Sequence, residues 1–150
     1  MAIERFAVGE RAEHDEGRGV TVVERQRARV LRFSTRGHLT RELAAFSIAH
    51  MAFVIDELRA SVAHDEDVKL NCLYDWSAMT GYDGGARSDS TQFAIRHRAK
   101  FASLAILMTS PIVAMGVTVA NMLVGGFMQA TTDPARFQDI VTRVLSESAS

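Results

Sequence analysis

Cysteine is almost missing from this chain. Cys72 stands alone among 150 residues, which excludes an internal disulfide framework and a zinc site built on several thiolates. An excess of either charge is missing as well. Seventeen Lys plus Arg against eighteen Asp plus Glu leave a formal charge of -1, so no general field draws nucleic acid and a dedicated duplex binder is not expected. From Met1 to Arg25, charged and small residues alternate without an apolar core, so no signal peptide is expected. A reducing, cytoplasmic setting follows as the expectation. There are no internal repeats and no low-complexity linker.

Short catalytic signatures are lacking too. The run Gly81-Tyr82-Asp83-Gly84-Gly85 has neither the Lys-Ser/Thr pair of a phosphate loop nor the dinucleotide spacing. Gly-x-Ser-x-Gly does not occur. His14, His38, His50, His64 and His97 show no His-x-x-x-His pair, so neither a metal nor a cofactor is expected. Cys72 lies among apolar neighbours and reads as a small core residue rather than a nucleophile. Asp75 and Asp83 flank a glycine-rich loop; a hydrolase would need them as a carboxylate pair, whereas Asp at strand ends commonly caps a turn. No enzyme is expected.

What is present is a globular composition, 47% apolar and 23% charged, of a length suited to one domain. Phe101 to Thr132 carries no charged side chain, long enough to raise a bilayer span of roughly 20 residues. Ser110-Pro111, Asn121 and Gly125-Gly126 interrupt it. Ser110 suits a helix cap with Pro111 in the first turn, and the glycines suit a helix stop. The run therefore divides into a buried strand at Ala102–Thr109, a helix at Pro111–Val124 and a short strand at Phe127–Ala130.

Elsewhere, residues 1–18 read as a polar lead-in or mobile tail. Val20–Val23 and Ala28–Ser34 read as strands, with Leu31 and Phe33 on one face. Thr40 caps a helix with Glu42 in its first turn, and Ile48, Met51, Ile55, Leu58 and Val62 give one stripe. Leu43, Phe46, Val54 and Leu58 give a second, so that helix is covered over a wide arc. A charged turn follows at His64–Asp67, then a strand at Val68–Trp76 with Val68, Leu70, Cys72 and Tyr74 on one side. Ser77–Ser88 reads as a loop and Asp89–Lys100 as a helix. Asp133-Pro134 opens the last helix, striped by Phe137, Ile140, Val141, Val144 and Leu145. The order β-β-α-β-α-β-α-β-α predicts a single-domain open, mostly parallel α/β sheet over residues 19–146, with 147–150 a tail.

That order, with Gly37-His38-Leu39-Thr40, Leu73-Tyr74-Asp75-Trp76-Ser77, Asp83-Gly84-Gly85-Ala86, Leu104-Ala105-Ile106-Leu107 and Thr132-Asp133-Pro134-Ala135, resembles the STAS domain family (sulfate transporters and anti-sigma factor antagonists). The resemblance is to its anti-anti-sigma-factor-like branch, related in fold to CRAL-TRIO lipid-binding domains. It implies a STAS-like fold and a noncatalytic role in bacterial regulation through a protein partner. Phosphorylatable members present a serine in an Asp-Ser-Ser-Gly turn at a helix N-terminus. Gly84 and Gly85 stand at those serine positions here, so that switch is expected to be absent.

The expected contact loop is Asp75, Ser77, Asp83, Gly84, Gly85 and Arg87. Ser88, Ser90 and Thr91 are candidate substitute phosphosites. Arg96, His97 and Arg98, with Arg87 added, are a candidate anion site, although the dipole at a helix C-terminus also accounts for them. Met108, Met115, Met122 and Met128 either fill the core or line an adaptable apolar pocket. Such a pocket would serve the alternative function, a carrier or sensor of a small apolar or lipid ligand. The short apolar last strand also predicts a homodimer paired at the sheet edge.

Overall fold

Val, Thr, Leu and Phe residues build the first half of the sheet, with successive side chains on opposite faces and both faces buried through Gly19–Val23. In the computed structural model, which describes residues 2–62 and 69–148, β1 (Arg11–Asp15), β2 (Gly19–Arg27) and β3 (Val30–Leu39) form an antiparallel meander. β4 (Leu70–Tyr82), β5 (Phe101–Met108) and β6 (Met128–Thr131) add in parallel, so the order across the sheet is the order along the chain. The helices are α1 (Arg41–Ser61), α2 (Gly84–Arg96), α3 (Pro111–Leu123) and α4 (Pro134–Glu147).

Right-handed crossovers that always advance in one direction place their helices on one face. Accordingly α1, α2 and α3 pack with Leu31, Phe33, Cys72, Tyr74, Leu104 and Ile106 in the larger core. The alternate residues Val30, Leu73, Ala105 and Leu107 face the other way, onto Phe137, Ile140, Val141 and Val144 of α4. Phe33 stacks on Tyr74 across β3 and β4, with ring centroids 4.8 Å apart.

The neutral stretch 101–132 folds as β5, α3 and β6. Ser110 caps α3 ahead of Pro111, and Gly125 and Gly126 end it at φ +82° and +78°, a region where side chains with a Cβ are strained. Among the described residues, no helix is long and apolar enough to cross a membrane. Thr40 and Asp133 also cap as their sequences predict, accepting from Leu43 and Ala135 backbone N–H groups.

Three expectations need correction. The lead-in 1–18 contains β1, and Phe6 is buried beside α1. The Arg25 side chain, also buried, donates to the Phe6 carbonyl at 2.7 Å and pairs with Glu57 of α1 at 2.9 Å, tying that segment down. The stretch 77–88 is not a loop: β4 runs to Tyr82, because Arg36–Leu39 of β3 supplies it with partners. Hence α2 starts at Gly84 rather than Asp89, and a short 3-10 turn, Arg98–Lys100, follows its end at Arg96. The charged turn at His64–Asp67 and the strand position Val68 lie outside the described residues, as do the last two residues of the tail.

Candidate functional site

The corner after β4 is tied from several sides. Asp83 stands at the N-cap of α2 without a side-chain bond to its own helix. Its Oδ1 lies 2.8 Å from Nε2 of His38, and its Oδ2 accepts from the Arg41 backbone N–H at 3.2 Å and from Arg18 at 3.5 Å. The His38 hydrogen bond, reinforced by the Arg41 N–H and the Arg18 charge, holds the Asp83 carboxyl below its usual pKa. Gly81 gives the imidazole room: a Cβ there would sit 3.2 Å from the His38 ring. Arg41 in turn grips Asp89 through two hydrogen bonds, at 2.7 and 3.0 Å. The corner thus fastens the start of α1 to the start of α2. Gly84 remains exposed at its apex, with open space around it.

Below this corner, between the sheet and the three helices, lies an apolar cavity of about 80 Å³. Tyr74, Trp76, Leu104 and Ile106 form its floor and Met51 of α1 one wall. Phe93 and Ala94 of α2 face Val117 and Ala120 of α3 across it. Small residues line its α3 side. On α3, Gly116 and Ala120 are one turn apart on the inner face, and a Cβ at Gly116 would come within 2.5 Å of the Tyr82 hydroxyl. The Tyr74 hydroxyl donates to Met51 Sδ at 3.2 Å, so the floor itself carries little unpaired polarity. Polar groups enter mainly from α2, where Arg87, Ser90 and Thr91 share a wall.

The residues singled out from sequence scatter over this frame. Arg87 lines the cavity, but Asp75 and Ser77 are strand residues whose side chains bond each other at 2.6 Å. Eight residues of extended strand, roughly 25 Å, separate Asp75 from Asp83, so they form no carboxylate pair. Thr91 is only 5% exposed and closed to a kinase, whereas Ser88 and Ser90 are half-buried.

Of the candidate anion-site residues, Arg96 and His97 end α2 and Arg98 opens the 3-10 turn. Arg98 lies 3.8 Å over the Phe127 ring. Burial, then the Arg96 charge, lowers the pKa of His97, which rests against Phe93. Met115 and Met122 are 70% and 75% exposed, so they neither fill the core nor line the pocket, while Met108 is buried. Of the four methionines proposed, only Met128 reaches the cavity, joined by Met51 and Met79. Cys72 is buried, which pushes its thiol pKa up and keeps it unreactive.

Sequence reasoning missed the cavity wall on α3. Its buried residues Val113, Gly116, Val117 and Ala120 follow helical spacing, and the small residues at 116 and 120 were the available signal. The helix is apolar all round, so periodicity alone could not tell that inner face from the outer one carrying Met115 and Met122.

No family model matches the chain, and no curated protein matches it. One similar solved structure is that of an uncharacterized protein from the DUF3478 family, with a SpoIIAA-like fold, from Shewanella loihica. It shares 20% sequence identity, covers 93% of this chain and 98% of its own, and superposes with a TM-score of 0.51. The fold of this chain is therefore SpoIIAA-like, the STAS-like architecture that the sequence resemblance implies.

Proposed function

We propose that this SpoIIAA-like domain is a noncatalytic binder of a small apolar ligand, held between the sheet and helices α2 and α3. The observation that carries the reading is the cavity: about 80 Å³ of space lined mainly by apolar side chains of β3, β4, β5, α1, α2 and α3. Packed interiors leave few voids larger than a water molecule, so a space of this kind is a ligand site before it is a packing fault. Its size favours a ligand smaller than the lipid considered from the sequence. Pockets for drug-sized ligands run from about 300 Å³, so this one suits a short chain or a small ring. A sensor in the reducing cytoplasm, coupled to regulation, fits both the STAS-like architecture and the single buried thiol. The noncatalytic reading rests on the separation of Asp75 from Asp83 and on the burial of Cys72.

Native mass spectrometry of protein purified without detergent tests the proposal. A small bound mass that disappears in Ala120→Phe supports it; wild-type protein that stays empty and takes up no added six-carbon alcohol contradicts it.

One observation favours a second reading, protein contact. The outer face of α3 presents Ile112, Met115, Val119, Met122 and Leu123, all exposed. The Asn121 side chain bonds the Met128 backbone N–H and carbonyl, so this stripe adjoins β6 at the open edge of the sheet. A second copy of the chain is the occupant this reading names, in keeping with the homodimer expected from the edge strand. Light scattering decides it: a concentration-independent monomer removes the reading. The partner contact expected at Asp83 has less support, because that carboxylate is engaged within the chain.

A further inference from the structure

We infer that the ligand is an anionic amphiphile, a short-chain carboxylate whose head meets Arg87 and Thr91 while its chain fills the cavity. This rests on the cavity being a ligand site and adds the chemical class of the ligand.

Two observations independent of the cavity's shape point to it. First, the Thr91 Oγ1 is buried and has no hydrogen-bond partner among the described residues. A helical threonine ordinarily returns its hydroxyl to the carbonyl four residues back, as Thr118 does to Ala114 at 2.9 Å. Thr91 does not, although it lies in the cavity wall. An orphaned buried hydroxyl is costly and calls for a partner that the folded chain does not supply.

Second, Arg87 lies one turn earlier on the same face of α2 and lines the same cavity, and its side chain makes no ion pair or hydrogen bond among the described residues. The two nearest carboxylates along α2 are already engaged, Asp83 by His38 and Arg41, and Asp89 by Arg41. A half-buried guanidinium offers five donors and no acceptor, and its planar fork matches a carboxylate. Arg87 also sits in the first turn of α2, where the helix dipole favours negative charge.

Ser90 adds a hydroxyl to this wall. The opposite side, formed by Met51, Leu104, Ile106 and Val117, offers only apolar contact. Arg87, Ser90 and Thr91 on one wall, against a lining that is otherwise mostly hydrocarbon, select an amphiphile over a pure hydrocarbon. The guanidinium selects an acid over an alcohol.

Trp76, the single tryptophan, lines the cavity and reports binding by its fluorescence. Hexanoate and hexan-1-ol are titrated separately into wild type, Arg87→Gln and Thr91→Val at neutral pH and fixed salt. Wild type binds hexanoate about ten-fold more tightly than hexanol, the worth of one charge-assisted hydrogen bond. Arg87→Gln removes that preference, weakening hexanoate far more than hexanol, and the hexanol binding that persists shows that the variant is folded. Thr91→Val weakens hexanoate more than hexanol. Equal affinities in wild type, or equal losses for both ligands in Arg87→Gln, overturn the anionic head and leave the apolar cavity standing. Binding of neither ligand to wild type overturns both.

Discussion

His38, near the end of β3, and Asp83, the residue before α2, are joined at 2.8 Å across two parallel strands. The bond draws the Asp83 carboxylate away from its own helix and toward the first N–H of α1. One side chain therefore fastens the starts of α1 and α2, two of the three helices that border the cavity.

Acid sensitivity follows from that geometry. The folded-state pKa of Asp83 lies below the ordinary value of 3.8, chiefly through the His38 hydrogen bond. A depressed carboxylate contributes stability that is complete above its unfolded pKa and is lost as pH falls through the folded value. Urea unfolding followed from pH 5 downward shows this loss in wild type. Asp83→Asn flattens that part of the curve and is less stable at neutral pH. An unchanged acid limb contradicts the role given to the bond.

His50 gives a second pH effect in a different window. Burial lowers its pKa from 6.5, although its Nδ1–H donates to the Phe46 carbonyl at 2.8 Å. Below pH 6.5 the unfolded chain gains a proton that the folded chain resists, so stability declines from there toward the lower folded value. His50→Phe makes this slope shallower below neutrality, leaving the part due to His97, whose pKa is lowered as well. A wild-type stability that rises on acidification over the same range contradicts the assignment.

Thr91→Val stabilises the ligand-free protein. It keeps the shape of the side chain and removes the orphaned hydroxyl, for a gain of about 1 kcal/mol. Thermal unfolding reads this as a rise of roughly 3 °C for a chain of this size. A fall in melting temperature shows instead that the hydroxyl has a partner.

Ala120→Phe fills the cavity. Added volume opposite Phe93 and Ala94 abolishes hexanol binding and costs about 1–3 kcal/mol through overpacking. Hexanol affinity retained in a folded Ala120→Phe variant places the ligand elsewhere.

The double change Met115→Gln and Met122→Gln alters stability by less than about 0.5 kcal/mol, since both side chains project into solvent. If wild type dimerises through α3, light scattering shows the same variant as a monomer. A large loss of stability contradicts the outward placement of the two methionines.

Features governed by neighbouring residues were legible in the sequence. Thr40, Ser110-Pro111 and Asp133-Pro134 mark helix starts because capping is local chemistry. The stripe from Phe137 to Val144 reveals the buried face of α4 because charged residues define its outside. Features governed by distant partners were not legible. The second half of β4, rich in turn formers, is extended because residues 36–39 of β3 pair with it. β1 is mostly polar and is held by its ladder to β2 and by His14, which stacks on Phe46 and bonds Glu42 at 2.8 Å. Arg87 and Thr91 stood out in the sequence, but for contact and phosphorylation. Their common wall appears only once α2 begins at Gly84.

The methionines offer the most direct test of the ligand cavity. With the methyl groups carbon-13 labelled, hexanol is titrated while Met51, Met79 and Met128, which line the space, are followed beside the outward Met115 and Met122. The account predicts saturable shifts at the three lining methyls and none at the two outer ones. Shifts confined to Met115 and Met122, or none at any methyl, would contradict it.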